Sequence, residues 1–423
     1  MLDLKFILKN MNAVKDNCKN RNVKIDFSEF EKLAEKRAAT LKEVEELRKQ
    51  QNDIAKQMKQ PLDKSEREKL IEQGAKLKSL VTEKEAASKS AEESLKEIQE
   101  AIPNMTHPDA PIGKGEESNF VLKHVGIPRK FDFTPKDHVE LGKELGILDF
   151  EGGAKVSGQK FYFLKRDGVL LEQALINYAL KTLIKEGFTP YVTPDLAKNS
   201  IFYGTGFNPR GEEAQIYSII DKDLSLIATA EITLAGLYSD EIIPEKELPI
   251  LLAGYSHCFR TEAGAYGKAS KGLYRVHQFS KVEMFAYTKP CESENMLQRL
   301  LSIEEKIFTE LEIPYRVVEC SSGDLGGPAY RKYDIEAWMP AREGGSYGEV
   351  TSASNCTDYQ ARRLSIRYKG NEGIQAVHTL NGTAIATSRA IIAILENNQQ
   401  EDGSIIIPDV LVPFMDKKTI TKI

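Results

Sequence analysis

Seven side chains in two nearby stretches have the types and spacing for chemistry on a nucleotide: Arg260 and Glu262, then Arg275, His277, Phe279, Lys281 and Glu283. The second set recurs at every other position, which in an extended chain puts all five on one face. Residues 265–272 between the stretches are rich in glycine and lysine, so the pattern predicts a long hairpin with a flexible basic loop. On such a face a guanidinium can hold a phosphate bidentately, a carboxylate can accept from an adenine amino group, and a ring can stack on a base. A salt-bridged, exposed hairpin would use the same residues. The local pattern leaves both readings open.

Other chemistries find less support. Residues 204–211, with glycine at 204, 206 and 211, lack the following Lys-Ser/Thr of a P-loop and read as a turn or mobile loop. No GxGxxG fingerprint opens a helix. The five cysteines (Cys18, Cys258, Cys291, Cys320, Cys356) are scattered and form no CxxC pair, and the six histidines show no metal spacing. These features argue for a reducing cytoplasm and against a disulfide framework or zinc. A net charge of −5 does not by itself suggest nucleic acid, so any RNA contact must use local basic patches. Asp3, Lys5 and Lys9 interrupt the apolar N-terminus, making it a poor signal peptide, and no apolar run is long enough for a membrane span.

The elements that must position these residues divide the 423-residue chain into domains at 1–102 and 119–423, with a proline-rich linker at 103–118. From residue 28 to 102, Glu, Lys, Ala, Leu and Gln dominate. One a/d seam runs through Phe30, Leu33, Val44, Leu47, Ile54 and Met58. A second runs through Leu70, Leu77, Val81, Ala91, Leu95, Ile98 and Ile102. Arg37, Thr40, Gln51, Gly74, Lys84 and Ser88 interrupt the seams. Pro61 breaks the helix and Asp63 can cap its successor. The result is an antiparallel two-helix coiled-coil arm of about 45–55 Å. Its charged length and basic tip (Lys56, Lys59, Lys64, Arg67, Lys69) suit either a dimerisation spacer or a polyanion. Beyond the linker, helices at 137–145, 170–186, 294–311 and 384–396 alternate irregularly with strands at 226–228, 250–255, 274–286, 315–319 and 333–338. This predicts an α+β domain on an antiparallel sheet flanked by helices.

Phe-Arg-x-Glu at 259–262, followed by Arg-Val-His-Gln-Phe-x-Lys-Val-Glu at 275–283, resembles the second signature of class II aminoacyl-tRNA synthetases in its seryl form. Residues 380–397 resemble the third signature, and the helix from Leu170 to Pro194 the first, which forms the family's dimer interface. Thr-Ala-Glu at 229–231, Gly-Asp-Leu-Gly at 323–326, the segment 348–356 and the Asp358–Arg363 run are further seryl-type segments. The resemblance spans essentially the whole chain.

The resemblance implies ATP-dependent activation of L-serine to seryl adenylate, then transfer to tRNA(Ser), and to tRNA(Sec) where present. It implies Arg260, Glu262 and Arg389 as catalytic residues. ATP would be bound by these with Thr261, Arg275, Val276, Phe279, Glu349, Val350, Thr351 and Ser352. Serine would be bound by Thr229, Ala230, Glu231, Arg260, Glu283, Asn381 and Thr383. Thr383 could also cap the helix expected at 384. Glu349 and Ser352 would hold Mg²⁺ with the ATP. The implied partners are tRNA through the arm and a second copy in a homodimer, with no membrane. Two departures stand out: Gly348 precedes Glu349 where the family usually has arginine, and Thr351 replaces a serine. A paralogue charging a carrier protein and a coiled-coil scaffold with a degenerate domain are the competing classes. The retained arm argues against the first.

Overall fold

The computed structural model describes residues 1–61, 63–207, 216–262, 272–371 and 373–422. Most of the loop at 265–272, and residues 208–211 of the glycine-rich stretch, lie outside the described residues. The chain forms two compact units, Met1–Pro103 and Asn104–Ile423.

The first unit begins with two short helices that composition alone did not signal, α1 (Leu4–Lys9) and α2 (Met11–Asn20). Asp3 caps α1 by accepting from the amides of Lys5 and Phe6. The arm follows as α3 (Phe27–Gln57) and α4 (Lys64–Ala101). Asp63 begins α4 with a capping box, its side chain bonded to the Glu66 amide and the Glu66 carboxylate to its own amide. The heptad count holds position by position. Residues 30, 33, 37, 40, 44, 47, 51, 54 and 58 on and just beyond α3, and 70, 74, 77, 81, 84, 88, 91, 95, 98 and 102 on and just beyond α4, are buried or half-buried. Between residues 45 and 80 none of them is fully buried, so the core fades toward the turn. Arg37–Glu92, Glu43–Lys84 and Arg48–Glu85 pair across the two helices at 3.2, 2.6 and 2.7 Å. The basic residues of the tip are exposed.

In the second unit, residues after Asn104 are hydrogen-bonded along its surface. The Asn104 side chain donates to Pro328 and Cys356 carbonyls, and the Ser322 amide donates to the Pro111 carbonyl. The centre is an eight-stranded sheet: β1 (Phe120–Val125), β2 (Thr189–Val192), β3 (Ile250–Phe259), β4 (Gln278–Thr288), β5 (Tyr315–Glu319), β6 (Arg331–Met339), β7 (Ser346–Asn355) and β8 (His378–Ala386). Its order is β1-β5-β6-β7-β8-β4-β3-β2, antiparallel throughout except for the edge pair β2–β3. The labelled helices here are α5 (His138–Glu144), α6 (Asp167–Lys185), α7 (Ala230–Gly236), α8 (Ser293–Glu310), α9 (Tyr359–Arg363) and α10 (Thr387–Asn398).

Alternation along β4 explains the layering. Val282, Met284 and Ala286 enter the main core beneath α6, α8 and α10, while Phe285 and Tyr287 join a second core with Ala230 and Leu234 of α7. Phe279, Lys281 and Glu283 share that second face where it opens. Several expected boundaries shift, two of them at the open face of the sheet. The strand expected from 274 begins at Gln278, because Gly272 takes a left-handed φ of 62° and the chain turns before pairing. The helix expected from 384 begins at Thr387, because Ile385 and Ala386 still pair with Val282 and Lys281. Thr383 is therefore a strand residue, not a helix cap. No helix among the described residues is long and apolar enough to cross a membrane.

Candidate active site

A cleft over the open face of β4, β7 and β8 gathers side chains from four distant parts of the chain. Arg260, Glu262, Arg275, Phe279, Lys281, Glu349, Thr383 and Arg389 all line it. Arg260 follows β3 directly, and its backbone amide donates to the His277 carbonyl at 3.0 Å. Its guanidinium lies 5.3 Å from the centroid of the Phe279 ring. Glu262 adopts a left-handed φ of 49° and faces Arg275 at 3.4 Å. Such a backbone costs on the order of 1 kcal/mol, and its place is where function holds strain. Val276 is buried along the same wall, and Thr261 lies between Arg260 and Glu262. His277 departs from the face that simple alternation gave it: its Nδ1 lies 3.0 Å from the Tyr217 hydroxyl and 2.9 Å from the Arg260 carbonyl.

At one end of the cleft Glu349 meets Arg389. The Arg389 Nη1 lies 2.9 Å from the Glu349 carboxylate and donates to the Glu349 carbonyl at 3.0 Å. Desolvation alone would push this carboxyl up, but Arg389, Lys332 and Arg260 outweigh it and hold its pKa at about 2. Arg389 sits in the first turn of α10, where the helix dipole disfavours a cation. A positive side chain held there is suited to meet an anion.

Glu349 and Ser352 are three apart, an odd spacing that would put them on opposite faces of a regular strand. Thr351 pairs with Ile335 while Glu349 pairs with Glu336, leaving Val350 as the extra residue of a bulge. The bulge returns Glu349 to the face of Ser352, which stands opposite Asp334 on the neighbouring strand. Buried Val350 and Thr351 line the cleft, but the Thr351 hydroxyl is used elsewhere, donating at 3.0 Å to Glu304 on α8. Burial pushes the Glu304 carboxyl well up.

At the other end lie the remaining expected residues. Glu231, at the start of α7, accepts from Gln360 at 2.7 Å and Asn381 at 3.0 Å. Burial, then the nearby Glu283, raise its pKa to about 7 against Gln360, Lys281 and Arg260. Glu283 pairs with Lys281 at 2.5 Å and accepts from the Thr383 hydroxyl at 3.2 Å. Thr229 is buried and its hydroxyl caps α7 through the Glu231 amide at 3.2 Å, with Ala230 fully buried behind it. The sequence places Lys281 on the right face but gives it no ligand to hold, and Gln360, inside the Asp358–Arg363 run, carries no signal as a site residue. Tyr274 and Glu304 had no signal, because only the fold brings them in.

Cys320, Asp324 and Asp334 converge within 4.8 Å, but the Lys332 ammonium already lies 3.5 and 3.3 Å from the two carboxylates.

Residues 1–106 match the family described as the seryl-tRNA synthetase N-terminal domain, and residues 217–398 the tRNA synthetase class II core domain (G, H, P, S and T). A curated serine–tRNA ligase of Treponema denticola is 56% identical over 415 residues, covering 98% of each chain. The chain belongs to the seryl-tRNA synthetase family. A serine–tRNA ligase of Rubrobacter xylanophilus is 55% identical over 421 residues, covering 99% of each. A crystal structure of the seryl-tRNA synthetase of Pyrococcus horikoshii complexed with ATP aligns over 100% of both chains, with a TM-score of 0.92 at 40% identity. As a member of that family, the chain carries the class II α+β fold and a long N-terminal helical arm.

Proposed function

We propose that this cleft joins serine to AMP and then hands the seryl group to tRNA. The activity is that of a serine–tRNA ligase, consuming ATP and L-serine and releasing pyrophosphate. The residue assignment rests chiefly on one observation: cations and Glu349 converge at one end of the cleft and paired carboxylates at the other.

Arg260 stands between the two ends, where it can grip the α-phosphate and the serine carboxylate together. Adenine stacks on Phe279 as Arg260 swings from the ring to the phosphate, and Glu262 accepts from the adenine amino group. Thr261, Val276, Val350 and Thr351 shape the walls, and Arg275 and Arg389 face the outer phosphates. Glu231 and Glu283 receive the serine ammonium, and Asn381 and Thr383 stand by its hydroxyl, with Thr229 and Ala230 fixing the segment. The serine carboxylate is already ionised and attacks phosphorus in line, so no general base is needed and the rate comes from positioning and charge stabilisation. Alanine leaves the polar groups around the hydroxyl unpaired, and the threonine methyl clashes.

Glu349 and Ser352 fit Mg²⁺, since both offer hard oxygen and the carboxylate is ionised down to about pH 2. Bound with ATP, the metal supplies neutralisation of the phosphate charge. No zinc enters this reading.

The arm would hold tRNA(Ser), and tRNA(Sec) where present, by backbone shape and charge through its exposed basic tip. A homodimer is supported by edge strand β2, exposed at all four positions with Val192 at 79%, and by exposed Val169, Leu170 and Ile184 on α6. A cytoplasmic setting fits the free cysteines. The decisive experiment screens amino-acid-dependent ATP–pyrophosphate exchange over the standard amino acids, then tests tRNA charging. Stimulation by serine with charging is expected. Stimulation without charging would transfer the reading to a carrier-protein ligase.

A further inference from the structure

Gly348 leaves a space that another residue has taken. A side-chain carbon built on Gly348 would lie 2.1 Å from Nη1 of Arg342 and 3.2 Å from the Tyr274 hydroxyl. Arg342 reaches this point from a tight turn, Arg342–Gly344, in which Glu343, Gly344 and Gly345 have φ of 53°, 81° and 109°. The turn folds back on itself, the Gly345 amide donating to the Arg342 carbonyl at 2.8 Å. Two of its three left-handed positions are glycine, the residue that adopts that backbone freely.

Among the described residues, the guanidinium is engaged without being neutralised. Nη1 donates to the Tyr347 carbonyl at 3.0 Å and the Tyr274 hydroxyl at 3.3 Å, both uncharged oxygens. It also lies 4.7 Å from the Tyr274 ring centroid, and Arg389 lies 4.8 Å from the same centroid. One aromatic ring thus serves two cations. The Tyr274 hydroxyl is also within 3.4 Å of the Glu349 carbonyl, the oxygen to which Arg389 donates.

One buried carboxylate fixes both partners. Glu396 accepts from the Ala341 amide at 3.2 Å, just before Arg342. It also bonds His138 Nδ1 at 2.8 Å, and His138 Nε2 accepts from the Leu273 amide at 3.2 Å, just before Tyr274. The turn carrying Arg342 and the segment carrying Tyr274 are held in register from beneath.

We infer that Arg342 is a positioning residue for ATP, setting Tyr274 so that Arg389 is presented to the outer phosphates and adding its own charge behind them. The inference rests on the proposed placement of ATP beside Arg389. It concerns the ATP half alone, because nothing in the chain of contacts touches Glu231, Glu283 or Thr383.

The test uses the full chain in serine-dependent ATP–pyrophosphate exchange, with KM measured separately for ATP and serine. Arg342→Ala is expected to raise the ATP KM about tenfold, with serine KM and melting temperature unchanged. Gly348→Ala displaces the guanidinium without deleting it and is expected to raise ATP KM comparably. Because both changes remove one contact, the double variant should be no worse than the more affected single variant. Arg342→Lys keeps a charge but loses the planar stack, and is expected to recover only part. Wild-type ATP KM in both single variants, fully multiplicative losses, or an equal rise in serine KM would each overturn the inference. Arg389→Ala separates the two levels: if it loses exchange while Arg342→Ala does not, only the role of Arg342 fails. If Arg389→Ala is itself silent, the ATP placement fails.

Discussion

Along the two long helices of the arm, Thr40, Ser88 and Gln99 are the polar side chains that reach full burial, and every cross-helix ion pair involves solvent-exposed groups. On the sheet of the second unit, Lys281, Glu283, Glu304 and Asp334 are all buried, within reach of Glu231, Glu349 and Arg389. Exposed ion pairs contribute at most about 1 kcal/mol, so the arm is held mainly by its apolar seam. Buried charges lose hydration on folding, and their mutual attraction repays this only in good geometry. The arm therefore presents charge outward at small cost, while the catalytic unit holds charge inward against a folding penalty, which a bound substrate can use.

The sharpest break of this contrast is Arg260→Ala. It should lower serine-dependent exchange by roughly 10²–10³-fold, the scale of losing one preorganised electrostatic contact, with melting temperature little changed. Intact exchange would mean that the inward charges do not serve catalysis. Removing residues 35–92 should spare exchange and reduce tRNA charging by roughly 10²-fold or more, if outward charge is what grips the polyanion. Equal loss of both activities would make the arm a folding element instead.

A smaller effect concerns Glu231, whose pKa burial and Glu283 raise to about 7. Its ionised form attracts the serine ammonium, so serine KM should fall by about tenfold between about pH 6 and pH 8. Glu231→Gln should flatten that profile. The stability sign runs the other way: a raised carboxyl contributes fully below its ordinary value, and the contribution is lost as pH rises through about 7. Calorimetry across this window should show stability falling in the wild type and less so in Glu231→Gln. Smallest of all, Gly74→Ala in the arm meets no atom closer than 4.0 Å, the Ile54 side chain. It should stabilise α4 by about 0.5–1 kcal/mol, read in chemical denaturation, without changing exchange.

The two regions also differ in how far they can be read without coordinates. The seams from Phe30 to Met58 and from Leu70 to Ile102 follow from a strict local period, and Asp63 carries its cap in the next three residues. Much of the catalytic sheet was legible too, since β4 alternates cleanly between Val282, Met284 and Ala286 inside and Lys281 and Glu283 at the cleft. Illegible were the contacts closed over long separations. Gln360 meets Glu231 across 129 residues, and Thr351 meets Glu304 across 47. Counting every second residue also failed at His277, because pairing starts one residue later. Thr383 resisted for a related reason: strand pairing through Ala386 overrides a local sequence that reads equally well as a helix start.

The bulge at Val350 lets β7 carry one residue more than the stretch of β6 it pairs with, without changing which side chains face the cleft. With it, Glu349 and Ser352 fall on one face despite their spacing. Without Val350 the strand would be regular, since Glu349 and Ser352 would then stand two apart and keep their partners Glu336 and Asp334. A deletion elsewhere in β7 would turn the residues on one side of it to the far face. β7 should therefore accept the loss of Val350 more readily than the loss of a residue from its regularly paired stretch at 352–355. A library of one-residue deletions along β7 would recover folded chains chiefly at the bulge.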